Sequence, residues 1–170
     1  MVRRLATLVL GGVWLAASSA CGPQPDLQTS LDVVPGITGY ADDGVQPDGQ
    51  NRILPSITFQ LKNEGDLPIA NVNLVLVFWP AGKDVDLGST QVRGIGSDPL
   101  APGATSESMT VQSSLGYTSP YPRSEFFTRP QFVDVVVRMF AKRRGSSVPI
   151  GEFPIERRLL PTTRPDGDAK

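Results

Sequence analysis

Short segments of alternating apolar and polar residues, separated by turns rich in glycine and proline, constrain the fold of this chain more than any other feature. Residues 56–62 put Ile57, Phe59 and Leu61 on one face and polar side chains on the other, as expected for a half-buried strand. The 170-residue chain contains 17 Gly and 16 Pro, a composition that favours a turn-rich β protein over a helical bundle. The pattern therefore predicts strands rather than helices.

Six further segments are predicted as strands, at residues 31–40, 71–79, 84–95, 105–111, 132–140 and 148–157. Strands at such turn-separated spacing predict an all-β fold, an antiparallel immunoglobulin-like β-sandwich of about seven strands over residues 31–160. Its predicted core consists of the inward-facing apolar side chains Ile57, Phe59, Leu61, Leu74, Leu76, Phe78, Val133, Val135 and Val137.

The first twenty residues have the composition of a signal peptide. Arg3 and Arg4 precede an apolar stretch over residues 5–17, and the small residues 18–20 form a cleavage zone. The apolar stretch is shorter than the roughly 20 residues that a membrane-spanning helix needs. Residues 1–20 are therefore predicted to be a signal peptide and not a transmembrane helix.

The single cysteine of the chain, Cys21, directly follows that cleavage zone. Ser18-Ser19-Ala20-Cys21 resembles a bacterial lipobox. The resemblance implies that Cys21 becomes the mature N-terminus and carries acyl chains such as palmitate. The alternative is an ordinary signal-peptidase site with Cys21 as a bystander. An odd thiol in an exported chain needs an explanation, and lipidation provides one.

Lipidation at Cys21 predicts a lipoprotein of the bacterial cell envelope. Residues 21–30 then form the lipidated cysteine and a short polar tether, and residues 161–170 form a polar tail that is predicted to be disordered. Gly22, rather than Asp, at the next position fits the periplasmic face of the outer membrane if the host has one. The predicted partners are the membrane, through the N-terminal lipid anchor, and an envelope protein.

The composition excludes several kinds of catalytic site. With no His and one Cys, the chain cannot form a Ser-His-Asp triad, a Cys-His pair or a usual zinc site. A net charge of −1 gives no general attraction to nucleic acid. Asp42, Asp43 and Asp48 lack the spacing of a calcium-binding loop and are interpreted as part of a solvated turn. The sequence thus predicts a protein that is not an enzyme and has no cofactor and no metal.

The segment at residues 117–130 is the candidate binding site, because it combines aromatic side chains, three prolines and two arginines. Rigid aromatic side chains beside arginine are typical of binding surfaces. The alternative is a long connection that folds its phenylalanines over the open end of the sandwich. The candidate binding residues are Tyr117, Tyr121, Arg123, Phe126, Phe127 and Arg129.

A second candidate is the basic run Lys142-Arg143-Arg144, in a predicted hairpin turn over residues 141–147. Basic residues near a membrane surface attract anionic lipid headgroups. The alternative, a solvated turn, is the favoured interpretation at this point.

A family resemblance covers residues 53–112. Asn63 ends a strand and opens a turn, a long apolar strand follows over residues 71–79, and Leu100-Ala-Pro-Gly103 opens the next strand. This order resembles the bacterial immunoglobulin-like modules called FxLYD and CARDB, and implies a non-enzymatic envelope module. Two functions are therefore expected: a lipid-anchored interaction or structural module, or an envelope binder of a glycan or peptide that uses the aromatic segment.

Overall fold

The computed structural model describes residues 24–161, and within them eight strands form two antiparallel sheets. The predicted signal peptide, Cys21 and the predicted tail beyond Pro161 lie outside the described residues. The predicted all-β sandwich is confirmed, with eight strands instead of about seven.

The first sheet consists of β1 (Leu31–Val45), β2 (Asn51–Asn63), β5 (Met109–Gln112) and β6 (Tyr117–Ser119). Its long central strand β2 pairs with β1 on one side and with β5 and β6, one after the other, on the opposite side. The second sheet consists of β3 (Val72–Pro80), β4 (Ser89–Ile95), β7 (Val135–Arg143) and β8 (Ser146–Pro154), in the order β4-β3-β7-β8.

The core lies between the sheets and is built from alternate residues of β2, β3 and β7. On β3, for example, Leu74, Leu76 and Phe78 are fully buried, as the period-two alternation predicts. Eight of the nine predicted core residues are buried, and the exception is Val133. Val133 is half-exposed because it precedes β7, whereas the neighbouring Phe132 is buried. The alternation read in β7 therefore does not extend back to residue 133.

Several predicted boundaries differ from the observed ones. The sequence also predicts a break of the first strand at Pro35-Gly36, but β1 continues through these residues with a register shift between Pro35 and Thr38, and it extends to Val45. The segment predicted as a polar tether contains one helical turn, α1 (Leu27–Ser30), with Leu27 buried in the core. The Asp26 carboxylate accepts a hydrogen bond from the Gln28 amide at 3.0 Å, which is the usual capping contact at a helix start.

The strand registers define two ends of the sandwich. The proximal end, next to Gln24, contains the start of β1, the end of β2 and the hairpin turn between β7 and β8. The distal end contains the β1–β2 turn, the end of β3 and the start of β7. Asn63 joins loops at the proximal end, because its buried amide donates to the carbonyls of Leu67 and Leu100, both at 2.9 Å.

The segment after β8 crosses to the other sheet and runs beside β1. The Tyr40 amide donates to the Arg158 carbonyl and the Leu160 amide donates to the Tyr40 carbonyl, both at 2.8 Å. A Cβ at Gly39 would lie 3.0 Å from the Arg158 carbonyl oxygen and 2.7 Å from Leu160 Cδ2, so the close approach of the crossing segment favours glycine there. Within residues 24–161 no helix is long and apolar enough to cross a membrane.

Candidate functional site

The six candidate binding residues lie at the distal end. Tyr117 is in β6, and Arg123, Phe126 and Phe127 are in a 3₁₀ helix at Arg123–Thr128. Tyr121 precedes that helix and Arg129 follows it. β6 pairs with the start of β2, so that Tyr117 lies opposite Ile53. A Cβ at Gly116 would lie 2.0 Å from the Ile53 carbonyl oxygen, and glycine is therefore required where the chain enters β6. The segment is folded, and its side chains separate into an inward and an outward group.

The inward group closes the distal end of the core. Phe126 is only 4% exposed, while Tyr117 and Phe127 pack against buried Tyr40 and Phe132. The ring centroids of Tyr40 lie 5.2 Å from Phe132 and 5.3 Å from Phe127, and those of Tyr117 and Phe132 are 4.8 Å apart. These tilted and edge-on arrangements are the favoured geometries for aromatic pairs. Tyr117, Phe126 and Phe127 thus have a packing role.

The two tyrosine hydroxyls of this aromatic cluster have different surroundings. The Tyr117 hydroxyl donates to the Val133 carbonyl at 2.8 Å, whereas the Tyr40 hydroxyl contacts no hydrogen-bond partner among the described residues. Burial is the main cause that raises the pKa of Tyr40 well above its ordinary value, and the nearby Tyr117 adds to the shift. Burial likewise raises the pKa of Tyr117.

Arg157 covers the outer side of the aromatic cluster. Its guanidinium binds both carboxylate oxygens of Asp134, at 2.6 and 3.0 Å, and its Cζ lies 5.4 Å from the ring centroid of Phe132. The hydrogen bond from Arg157 lowers the pKa of Asp134. The ion pair links Asp134, directly before β7, to the crossing segment after β8. It therefore holds the Arg157 guanidinium over the outer side of the aromatic cluster.

The outward group consists of Tyr121, Arg123 and Arg129. Tyr121 is 47% exposed. The Arg129 guanidinium carbon lies 3.3 Å from the centroid of the Tyr121 ring, in cation–π geometry. Arg129 also pairs with Glu125 at 2.6 Å. Arg123 pairs with Asp42 of β1 at 2.6 Å, so it holds the 3₁₀ helix against the first sheet.

A shallow apolar groove of about 230 Å³ lies beside Tyr121. It is lined by the residues of β6 and by Phe126, Arg129 and Phe132. An apolar surface with one exposed aromatic ring and one cation can bind a flat or extended apolar group and orient a polar one. This groove, the Tyr121 groove, is the candidate contact site. Four of the six predicted residues line it: Tyr117, Tyr121, Phe126 and Arg129.

Sequence reasoning missed Tyr40, Phe132 and Arg157 as parts of this region. Tyr40 and Arg157 come from β1 and from the segment after β8, so no local motif connects them with residues 117–129. Phe132 follows Arg129 by three positions but belongs to the segment predicted as a strand over residues 132–140. Over residues 24–161 there is no group of three or more acidic, His or Cys side chains that could hold a metal ion.

Comparison with known proteins supplies no family. No family model matches the chain, and no curated protein matches it. Among solved structures, the Northeast Structural Genomics Consortium target SoR45 is 14% identical, with a TM-score of 0.47 over 85% of this chain and 98% of that one. A Bordetella pertussis protein provisionally named ApaA is 21% identical, with a TM-score of 0.39 over 75% of this chain and 93% of its own. At such distances no property of either protein is carried over.

Proposed function

We propose that this protein is a lipid-anchored, non-enzymatic interaction module of the bacterial envelope, attached to the membrane through Cys21. Support comes from the closeness of the folded domain to that cysteine. Gln24 lies three positions after Cys21, a stretch that reaches at most about 11 Å. Leu27 is buried in the core and Arg143 donates to the Pro25 carbonyl, so the chain is attached to the sandwich directly after the anchor.

The observation that carries the proposal is the position of the Tyr121 groove at the end of the sandwich opposite to Gln24. A module anchored at its proximal end presents its distal end to the surrounding compartment. Tyr and Arg are enriched where proteins bind one another, because they offer large contact area and directed hydrogen bonds. The proposed partner is an envelope protein that covers the Tyr121 groove. The resemblance to the FxLYD and CARDB modules belongs to this proposal.

The anchor is tested by metabolic labelling with an alkyne fatty acid in a bacterial host. Wild-type protein should incorporate the label and remain in the membrane fraction. The Cys21→Ala variant should incorporate none. Equal labelling of both proteins, or no labelling of either, would contradict lipidation at Cys21.

The contact surface is tested by crosslinking in intact envelopes, followed by capture of the protein. Tyr121→Ala combined with Arg129→Ala should reduce recovery of the crosslinked partner. The control is Lys83→Ala, an exposed change at the same distal end but outside the Tyr121 groove. Unchanged recovery with the double variant, at an unchanged melting temperature, would rule out the groove as the contact surface.

A second candidate function is binding of a glycan or a peptide in the same groove. It is favoured by the exposed Tyr121 ring, because an aromatic face can stack on a sugar ring or on an apolar side chain. Binding by the purified full chain on glycan and peptide arrays separates the two functions. An array ligand whose binding is lost with Tyr121→Ala would support this second function, whereas a crosslinked protein without any array ligand would support the first.

A further inference from the structure

Three consecutive basic residues, Lys142, Arg143 and Arg144, lie where β7 ends and the turn to β8 begins, at the proximal end. Arg144 and Gly145 form a tight turn with φ angles of 48° and 84°, and Lys142 and Arg144 are exposed. Arg143 is half-buried because its guanidinium donates to the Pro25 carbonyl. The hairpin therefore holds two cations at its tip, and the third ties it to the chain beside the predicted anchor.

These three cations are not neutralised within the described part of the chain. No carboxylate of residues 24–161 lies within 4.0 Å of them, whereas six other arginines each pair with an acidic side chain: Arg52, Arg123, Arg129, Arg138, Arg157 and Arg158. Asp26 lines a groove together with Arg143 and Arg144, but its carboxylate caps α1 through the Gln28 amide. The surface is thus a local concentration of positive charge on a chain of net charge −1.

The three basic residues Lys142, Arg143 and Arg144, called the basic tip, border two segments that are distant from them in sequence. Arg143 and Arg144 share a groove of about 540 Å³ with Gln24, Pro25 and the β2–β3 loop. In that loop Leu67 is 36% exposed, and its carbonyl is fixed by Asn63. An exposed Leu beside unpaired cations is a combination suited to a membrane interface, where the apolar group enters the headgroup layer and the cations remain at its surface.

We propose that the surface formed by Lys142, Arg143, Arg144 and Leu67 contacts the anionic phospholipid headgroups of the membrane that holds the anchor. The inference rests on the proposed lipidation at Cys21. The roughly 11 Å reach from Cys21 to Gln24 is close to the screening length of about 8 Å at physiological ionic strength, so the charges of the tip act on the headgroups. Each basic residue near such a surface favours contact about fivefold. The contact directs the Tyr121 groove away from the membrane.

The experiment uses the acylated full-length protein, carrying Ser146→Cys, reconstituted into vesicles. Acylation consumes the thiol of Cys21, so the new cysteine in the exposed turn is the one site for a spin label. Its accessibility to a water-soluble relaxation agent is measured in phosphatidylcholine vesicles with and without phosphatidylglycerol. We expect accessibility to fall severalfold when phosphatidylglycerol is present and to recover at an ionic strength of about 0.5 M.

Two variants distinguish an effect of the basic tip from an effect of the net charge of the protein. Lys142→Gln with Arg144→Gln should abolish the effect of phosphatidylglycerol, and it leaves the Arg143 contact with Pro25 in place. Lys83→Glu changes the net charge by the same amount at the distal end and should preserve the effect. Inorganic phosphate at constant ionic strength should change nothing; release of the label by phosphate would identify a site for the free ion and overturn the membrane assignment.

The outcomes distinguish this inference from the proposed anchor. Protein that carries the acyl label and floats with the vesicles, but shows equal accessibility in both lipid mixtures, would overturn the headgroup contact alone. Equal behaviour of the Lys142→Gln, Arg144→Gln variant and the wild type would do the same. Protein without the acyl label that fails to float would overturn the proposed anchor and, with it, this inference.

Discussion

Tyr40 and Tyr117 lie in one aromatic cluster, and their hydroxyls differ in a way that stability measurements can detect. Tyr117 donates to the Val133 carbonyl, while Tyr40 is fully buried without a partner among residues 24–161. A buried polar group without a hydrogen bond costs free energy, and a satisfied one contributes about 0.5–1.5 kcal/mol. The same chemical change should therefore have different effects at the two positions.

We expect Tyr40→Phe to leave the free energy of unfolding unchanged or to raise it, because the lost hydroxyl has no partner. Tyr117→Phe should lower it by about 0.5–1.5 kcal/mol, since the Val133 carbonyl loses its donor. Urea unfolding of both variants and the wild type, followed by circular dichroism, provides the measurement. A larger loss at residue 40 than at residue 117 would contradict the assignment.

The raised pKa of Tyr40 predicts a loss of stability in alkaline solution. In the unfolded chain a tyrosine ionises near pH 10, whereas in the folded protein burial favours the neutral hydroxyl. The stabilisation is thus complete below pH 10. It decreases by about 1.4 kcal/mol per pH unit above that value until the folded-state pKa is reached.

Tyr40→Phe removes this contribution, while Tyr117 remains in both proteins as a shared one. The midpoint of urea unfolding should therefore change less between pH 8 and pH 11 in the variant than in the wild type. Parallel pH dependence in the two proteins would mean that Tyr40 ionises in the folded state as it does in the unfolded chain.

At the scale of the element, the 3₁₀ helix at Arg123–Thr128 is held by the inward-facing rings of Phe126 and Phe127 and by the ion pair of Arg123 with Asp42. Phe126→Ala should lower the free energy of unfolding by about 3–5 kcal/mol, the usual cost of deleting a buried phenylalanine ring. Tyr121→Ala, on the exposed side of the same segment, should change it by less than about 0.5 kcal/mol. Thermal melts of the two variants measure the difference, and equal losses would show that the outward and inward groups had been assigned wrongly.

The entry into β6 depends on a glycine for steric reasons. A Cβ at residue 116 would lie 2.0 Å from the Ile53 carbonyl oxygen, whereas a Cβ at Gly96 would meet nothing within 4 Å. Gly116→Ala should therefore cost at least about 1–3 kcal/mol of stability, and Gly96→Ala should be close to neutral. Chemical unfolding of the pair is the test; a neutral Gly116→Ala would mean that β6 can move away from β2.

At the scale of the whole molecule, the sandwich must fold without a disulfide, because the chain contains a single cysteine. We expect a β-type circular dichroism spectrum and one cooperative unfolding transition whose midpoint is the same with and without a reducing agent. Trp79 lies on β3, and the Cζ atom of Arg138 is 5.6 Å from the centroid of the Trp79 ring. The fluorescence of Trp79 should report the same transition. A helical spectrum, or a midpoint that shifts with reductant, would contradict this description.

The sequence by itself determined the fold class and most of the core. Period-two alternation in β2, β3 and β7 assigns each side chain to one of two faces, because successive side chains of a strand point in opposite directions. This local rule identifies residues such as Ile57 and Leu76 as buried. It fails where a strand ends, as at Val133, because the alternation has no meaning outside a strand.

Only the tertiary structure decided how the candidate site is divided. Tyr121 and Phe126 belong to one aromatic segment, and composition treats them alike. Their separation into an exposed and a buried side chain depends on the core at the distal end, to which β1, a distant part of the chain, contributes Tyr40. The meeting of Arg143 with Pro25 likewise joins residues 118 positions apart. Such contacts are set by the packing of the two sheets, and no local pattern specifies that packing.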